Sequence, residues 1–264
     1  MEFEYFSPEE YENAFVRFGD IRKKIAHLVV SLCRTDSMNV LDFMAGHGYL
    51  GLEITKTAQS SRVVGFGLPN DVLTHLRLRE KLAQPELFYN IDYVCAEGTS
   101  LPFSKRSFDL VVNFLGLEDL NMTRGLDGVE TVLNNLSELV TPGGFLQLSL
   151  VEYGNTPEEQ VAKDVWETIG LGCTFYPTIH YQEVMESLGF RLLNSVLFQF
   201  PKKMTPAQTR EELEFACNEA PKIFAPFGVR AIPFQELWEQ FCDRIKEHGM
   251  AYWSRIRVLV FRKV

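Results

Sequence analysis

Asn39-Val40-Leu41-Asp42-Phe43-Met44-Ala45-Gly46-His47-Gly48-Tyr49-Leu50-Gly51 is the stretch that decides the fold. Its first five residues form a short apolar run. Gly46, Gly48 and Gly51 then bring a turn, and an apolar stretch of helical character continues to about Gln59. Glycine lets a backbone adopt left-handed dihedrals and approach a ligand with no Cβ between them. A helix that begins directly after such a turn aims its unpaired N–H groups at an anionic group such as a carboxylate or phosphate. Strand, glycine turn and helix together read as the opening unit of an α/β fold, with a ligand at the strand's tip.

Downstream, the same grammar repeats. Arg62–Phe66 is a second apolar run, followed by a helix from about Asp71 carrying Val72, Leu73, Leu76 and Leu82. Ile91–Cys95 and Phe108–Phe114 are the third and fourth runs. Leu126, Val129, Val132, Leu133, Leu136, Leu139 and Val140 then stripe one helix face, which stops at Thr141-Pro142-Gly143-Gly144 before a fifth run, Phe145–Val151. Alternating strands and helices imply βαβ units and a parallel sheet covered on both faces, and continuously apolar strands agree with that burial. A sixth run lies at about Arg191–Phe200 and a seventh at Ile256–Phe261. Between them Thr205-Pro206 starts one helix, and Phe234, Leu237, Trp238, Phe241, Cys242 and Ile245 mark another.

The expected architecture is therefore an α/β, Rossmann-like sheet of seven mostly parallel strands with helices on both faces. Its last strand is expected to be antiparallel, with a helical cap inserted between strands six and seven. The expected organisation is an N-terminal helical cover (1–37), a core (38–200), the inserted cap (201–253) and the final strand (254–264). The cover starts at Ser7-Pro8-Glu9-Glu10, an N-cap, a first-turn proline and a glutamate for a capping box, and carries Ile21, Ile25, Leu28, Val29 and Leu32 at helical spacing.

Composition narrows the function. A chain of 264 residues with 46% hydrophobic residues and 12% aromatics is globular. A formal charge of −9 repels phosphates, so neither a nucleic-acid nor a membrane partner is expected. The densest basic stretch, Arg17, Arg22, Lys23 and Lys24, reads as a solvated helix face. Cys33, Cys95, Cys173, Cys217 and Cys242 are too scattered for a zinc or redox motif, so no metal is expected, and they read as reduced, buried thiols. An acidic N-terminus resembles no targeting peptide, and no apolar run is long enough for a membrane span, so a cytoplasmic location is expected.

Two ligands compete for the turn. Gly46-His47-Gly48-Tyr49-Leu50-Gly51 is a G-x-G-x-x-G, the dinucleotide fingerprint, which is weak evidence alone. Asp42 points elsewhere: a carboxylate is repulsive beside a pyrophosphate and favourable beside an ammonium or sulfonium. A dinucleotide site also wants a ribose-holding acid about 20 residues on, where Gly67 stands.

Four segments in order resemble class I methyltransferases. Val40–Gly51 is similar to their first motif, although Met44 replaces its first glycine. Ala96-Glu97-Gly98-Thr99-Ser100-Leu101-Pro102-Phe103 resembles the segment after strand three. Ser107–Asn113 resembles strand four, and Leu139–Gly144 the turn before strand five. The resemblance covers residues 38–151 and is nearest to small-molecule methyltransferases that include ubiquinone-biosynthesis enzymes.

It implies S-adenosyl-L-methionine as cofactor. Asp42 would hold the methionine ammonium, and backbone at Ala45, Gly46, His47 and Gly48 would line the methionine part. Gly67 and Leu68 would flank the ribose, Glu97 and Gly98 would meet the adenine, and Asn113 and Phe114 would close the amino-acid end. Gly67 replaces the family's ribose acid.

Each residue also has a plainer reading. Asp42 could accept from the turn's own N–H groups, and Glu97 could be a solvated strand-end acid. Glu118 could face the acceptor or merely cap a helix. His180, after Phe175-Tyr176-Pro177, could be a general base or a packing histidine. Tyr176 and Tyr11 belong to aromatic-rich additions expected to face an apolar or aromatic small molecule. Two alternatives stand beside methyl transfer: a methyltransferase-like protein without transfer activity, and a nucleotide-dependent oxidoreductase. The acceptor atom and oligomeric state stay open.

Overall fold

The computed structural model describes residues 21–35, 37–69, 72, 75–76, 90–172, 174–199, 203–251 and 254–264. The helix expected at Ser7-Pro8, Tyr11, and most of the helix expected from Asp71 lie outside the described residues. Among the described residues, seven strands form one sheet: β1 (Asn39–Phe43), β2 (Arg62–Gly67), β3 (Ile91–Cys95), β4 (Phe108–Phe114), β5 (Val140–Glu152), β6 (Phe190–Gln199) and β7 (Arg255–Lys263), in the order β3-β2-β1-β4-β5-β7-β6. All neighbouring pairs among β1–β5 are parallel, while β7 runs antiparallel between β5 and β6.

Alternation along the strands splits the core. Val40, Val63, Leu110, Val112 and Val258 face α1 (Ile21–Cys33) and α2 (Tyr49–Thr57). Leu41, Phe66, Val111, Leu148 and Phe261 face α3 (Gly116–Leu139) and α5 (Thr178–Ser187). Period two sends neighbouring residues to opposite faces, so strands buried on both sides read as unbroken apolar runs. α3 bends at Gly125 (φ 69°, ψ −175°), so the striped half seen in the sequence is only its second part. Val140 pairs with Phe108 before the chain breaks register through Gly143 (φ 77°), which starts β5 five residues earlier than its apolar run.

The chain between β6 and β7 is helical: α6 (Pro206–Asn218), α7 (Ala220–Ile223), a short 3-10 turn (Ala225–Phe227) and α8 (Phe234–His248). Thr205 caps α6 in a reciprocal box with Gln208, and Pro206 occupies the first turn. Leu237, Phe241 and Ile245 form the buried stripe of α8. They pack with Leu213 of α6 and with Val161 and Val165 of α4 (Pro157–Thr168), so a third apolar core joins the inserted helices to one that precedes β6. Of the four described cysteines, only Cys217 is buried. Cys95 is exposed, and Cys33 and Cys242 are half-buried, which corrects the expectation of buried thiols: strand ends and helix flanks put them at the margins of the core.

Candidate functional site

In the order above, β1 and β4 are neighbours whose following helices leave on opposite faces, α2 on one and α3 on the other. Such a switch point opens a crevice beyond the strands' carboxyl ends. The β1–α2 turn lines it. Met44, Gly46 and Gly48 all take positive φ (54°, 51° and 81°). The Ala45 N–H donates to the Phe66 carbonyl (2.9 Å) and the Gly48 N–H to the Ala45 carbonyl (2.8 Å), which fastens the turn to β2. The Tyr93 hydroxyl donates to the Gly46 carbonyl (3.1 Å), and His75 Nδ1 lies 3.3 Å from the His47 carbonyl. A Cβ on Gly48 would stand 2.6 Å from His75, so the glycine is required. Among the described residues, a Cβ on Gly46 would meet nothing within 4 Å, and that side of the turn is open to them.

Met44 tolerates its left-handed backbone through packing. Its side chain is half-buried against the core around Leu41 and Phe43. It covers Gly116, where a Cβ would come within 2.7 Å of Met44 Cβ and 2.8 Å of Asn113 Nδ2. Asn113 in turn donates from Nδ2 to the Phe43 carbonyl (2.9 Å). Its Oδ1, fully buried, has no hydrogen-bond partner among the described residues. An acceptor so placed is costly unless a donor reaches it.

Asp42 is 2% exposed and accepts from the Gly51 N–H (2.9 Å) in the first turn of α2. Burial pushes its carboxyl up to about 7, against the pull of that hydrogen bond. His47 is held down at about 4, first by burial and then by the charge of Arg22. For Glu97, burial alone would raise the pKa. Thr99 (N–H at 3.1 Å, and its hydroxyl) and Arg124 (3.1 Å) outweigh it and hold the carboxylate below its ordinary range. Arg124 also lies over the Phe227 ring (4.8 Å), linking this strand end to the inserted helices.

Glu118, in the first turn of α3, accepts from the Val151 N–H through Oε1 (2.8 Å), bridging the tops of β4 and β5. Its Oε2 is enclosed without a hydrogen-bond partner among the described residues, and burial raises the carboxyl to about 7. Tyr181 is buried nearby, its phenol pushed up by burial, then by Glu118 and Tyr176.

The structure thus gathers Asp42, Ala45, Gly46, His47, Gly48, Gly98 and Asn113 around the top of β1. Gly98 lies over the Phe43 ring, where a Cβ would stand 3.5 Å away. Gly67 ends β2, its carbonyl accepting from the Ala96 N–H (3.2 Å), with Leu68 exposed beside it. Phe114 ends β4, half-buried. His180 stacks near Tyr176 and Tyr181 (5.5 and 5.7 Å), with Nε2 3.5 Å from Glu130 on α3. The solvated reading of the basic stretch fails at Arg22, which is 5% exposed and lies 4.4 Å from the Tyr49 ring centroid. Sequence did carry a signal: Arg22, Ile25, Ala26 and Val29 form an i, i+3, i+4, i+7 stripe. Among the described residues, no three of His, Cys, Asp and Glu gather as a metal-binding group, and no helix is long and apolar enough to cross a membrane.

This sheet order, with a glycine turn at the switch point, defines the class I methyltransferase fold. A Bacillus halodurans methyltransferase candidate superposes with a TM-score of 0.60 at 14% identity, covering 90% of this chain and 98% of that one. The 1,6-didemethyltoxoflavin-N1-methyltransferase of Burkholderia thailandensis, solved with 1,6-didemethyltoxoflavin and S-adenosylhomocysteine bound, superposes at 0.52 with 13% identity over 100% and 93%. Residues 40–144 match the methyltransferase domain family. The ubiquinone/menaquinone biosynthesis C-methyltransferase of Pseudoalteromonas translucida is 30% identical over 151 residues, 57% of each chain. The chain spans less than three fifths of the length of the curated relatives it matches.

Proposed function

We propose that this protein binds S-adenosyl-L-methionine at the top of β1 and transfers its methyl group to a small, apolar or aromatic acceptor. The observation that carries the reading is the pairing of an open glycine turn with buried hydrogen-bond acceptors, Asp42 and Asn113 Oδ1, at one switch point. The residues fit the cofactor's charges: the α2 N-terminus suits a carboxylate, and the two acceptors suit an ammonium. When bound, the cofactor supplies an electrophilic methyl on a sulfonium.

The protein's part is to align the acceptor and exclude water. Gly67 and Leu68 flank the ribose in this reading, and Glu97 and Gly98 the adenine. Glu118, Tyr176 and Tyr181 form the acceptor's side. An enclosed carboxyl that titrates near neutrality can take a proton from a hydroxyl or an amine, so Glu118 serves as the base in this reading. The N-terminal segment and the inserted helices determine which acceptor enters. The net charge of −9 supports a small molecule rather than nucleic acid, and a cytoplasmic setting belongs to the same reading.

Calorimetric titration tests it. S-adenosylmethionine and S-adenosylhomocysteine should bind, and nicotinamide dinucleotides should not. Binding of a dinucleotide, with silence toward both sulfur compounds, refutes the proposal.

A further inference from the structure

Arg124 joins parts of the chain that lie far apart in sequence. It sits in the first half of α3, directly before the break at Gly125. A Cβ on Gly128 would collide with Arg124 Cβ, so that glycine leaves room for the side chain. The guanidinium reaches Glu97, beyond the end of β3, with Nη2 3.1 Å from Oε1. It also lies over the ring of Phe227, 4.8 Å from the centroid, in the 3-10 turn of the inserted helices. Val229, Ala231 and Ile232 follow that turn and pack against the third core, and the Ile232 N–H donates to the Ile169 carbonyl (2.9 Å) just beyond α4. The turn is thereby anchored, and its aromatic face gives the guanidinium a preferred side. Glu97 shows what this fixes. Its Oε2 already accepts from the Thr99 N–H (3.1 Å) and hydroxyl. A carboxylate has about four acceptor positions, shared between its two oxygens. With Arg124 on Oε1, the described residues leave one position, its direction set by the guanidinium and Thr99 together.

We propose that Arg124 is a positioning residue: held by Phe227, it orients the Glu97 carboxylate toward the exocyclic amine of the cofactor's adenine, so the inserted helices take part in retaining the cofactor and not only in admitting the acceptor. The inference rests on the cofactor reading above and adds to it a route from the inserted helices to the nucleoside end. Both contacts of Arg124 are exposed ones, and each is weak alone. The coupling is therefore a few-fold in affinity, and it shows only with a probe that isolates the amine.

S-inosylhomocysteine is that probe, because it carries a carbonyl where S-adenosylhomocysteine has the amine. Both compounds are titrated into the unaltered protein, Phe227→Leu, Arg124→Met and the double variant. The unaltered protein should prefer S-adenosylhomocysteine. Leucine at 227 keeps apolar bulk but removes the ring face, and should lower that preference about twofold to fivefold. In the Arg124→Met background the same replacement should lower it no further, because Phe227 acts through the guanidinium. Arg124→Lys keeps a charge beside Glu97 without a plane to lie on Phe227. It should match Phe227→Leu, and Phe227→Leu should add nothing to it, which serves as the test if the methionine variant fails to fold. An unchanged preference in Phe227→Leu, or an equal drop with and without Arg124, overturns the proposal and leaves Phe227 a packing residue. Equal binding of the two compounds by the unaltered protein overturns the contact between Glu97 and adenine, and the proposal with it. Silence toward both overturns the cofactor reading itself.

Discussion

Asp42 should make cofactor binding depend on pH, in a direction that can be worked out in advance. In the free protein its carboxyl titrates at about 7 because it is buried. An ammonium beside it stabilises the ionised form. At pH 6 only about a tenth of the molecules carry the charge, at pH 7 about half and at pH 8 about nine tenths, so affinity should rise about tenfold between pH 6 and pH 8. Near pH 7, binding should release about half a proton, measurable by calorimetry with S-adenosylhomocysteine in two buffers of different ionisation enthalpy. The ligand's own α-amino group is also titratable, so the diagnostic is a difference between variants. Asp42→Asn keeps an oxygen for the Gly51 N–H and cannot ionise. It should bind about as well as the unaltered protein at pH 6 and about tenfold worse at pH 8. Glu118 titrates in the same window, and Glu118→Gln should keep the slope. Parallel pH profiles for the unaltered protein and Asp42→Asn would refute the reasoning, and would leave Asp42 as an acceptor for α2 alone.

The other predictions concern strain, stability and the ribose. Gly116→Ala places a Cβ 2.7 Å from Met44 Cβ and 2.8 Å from Asn113 Nδ2, and should destabilise the fold by about 1–3 kcal/mol in urea unfolding while weakening cofactor binding. A neutral effect would show that the Met44 turn gives way freely. Glu118 is raised from 4.5 to about 7 in the folded state, so the fold holds its proton more tightly than the unfolded chain does. Its contribution is present below pH 4.5 and is lost as pH rises to 7, a decline of about 2–3 kcal/mol relative to Glu118→Gln. Unfolding curves of both proteins from pH 5 to 8 measure that difference, and a constant gap contradicts the burial argument. Gly67→Asp should tighten S-adenosylhomocysteine about tenfold by restoring an acceptor for the ribose hydroxyls, and a loss of affinity would mean that the β2 end approaches the ligand differently.

How far the sequence could be read depended on whether neighbours in the chain or distant contacts decided each feature. β1, β3 and β4 were legible to the residue, because a strand buried on both faces is an apolar run bounded by turn formers. The start of α3 was not. Gly116–Arg124 mixes polar and apolar residues without a stripe, since that half is held by contacts such as Asn121 Nδ2 with the Thr174 carbonyl (2.8 Å), 53 residues away. The union of α4 with the inserted helices was hidden for the same reason: β6 intervenes in the chain between surfaces that meet only in space. At the site, the turn announced itself through its glycines. Arg22 was obscured by its neighbours, because three further basic residues nearby make a charged face the natural reading when charge is weighed before periodicity. Tyr181 lay outside every motif. Its place beside Glu118 follows from the packing of α5 on α3.

The choice between ligand classes turns on the signs of the charges more than on the glycine spacing. A dinucleotide's pyrophosphate brings only negative charge to the turn. It would satisfy the α2 N-terminus, but would set an anion near Asp42 and offer no donor to the buried Asn113 Oδ1. The amino-acid end of S-adenosylmethionine carries both signs close together, and the crevice suits both: a helix N-terminus at the start of α2, and two buried acceptors at the tops of β1 and β4. The ammonium removes the cost of the acceptors' lost hydrogen bonding, and the carboxylate meets the positive end of the α2 dipole. The gain should therefore follow the amino-acid arm. At pH 8, Asp42→Asn should weaken S-adenosylhomocysteine about tenfold and 5′-methylthioadenosine, which lacks that arm, less than about twofold. Equal weakening of both would mean that Asp42 acts through the fold, and that the charge pattern does not decide the ligand.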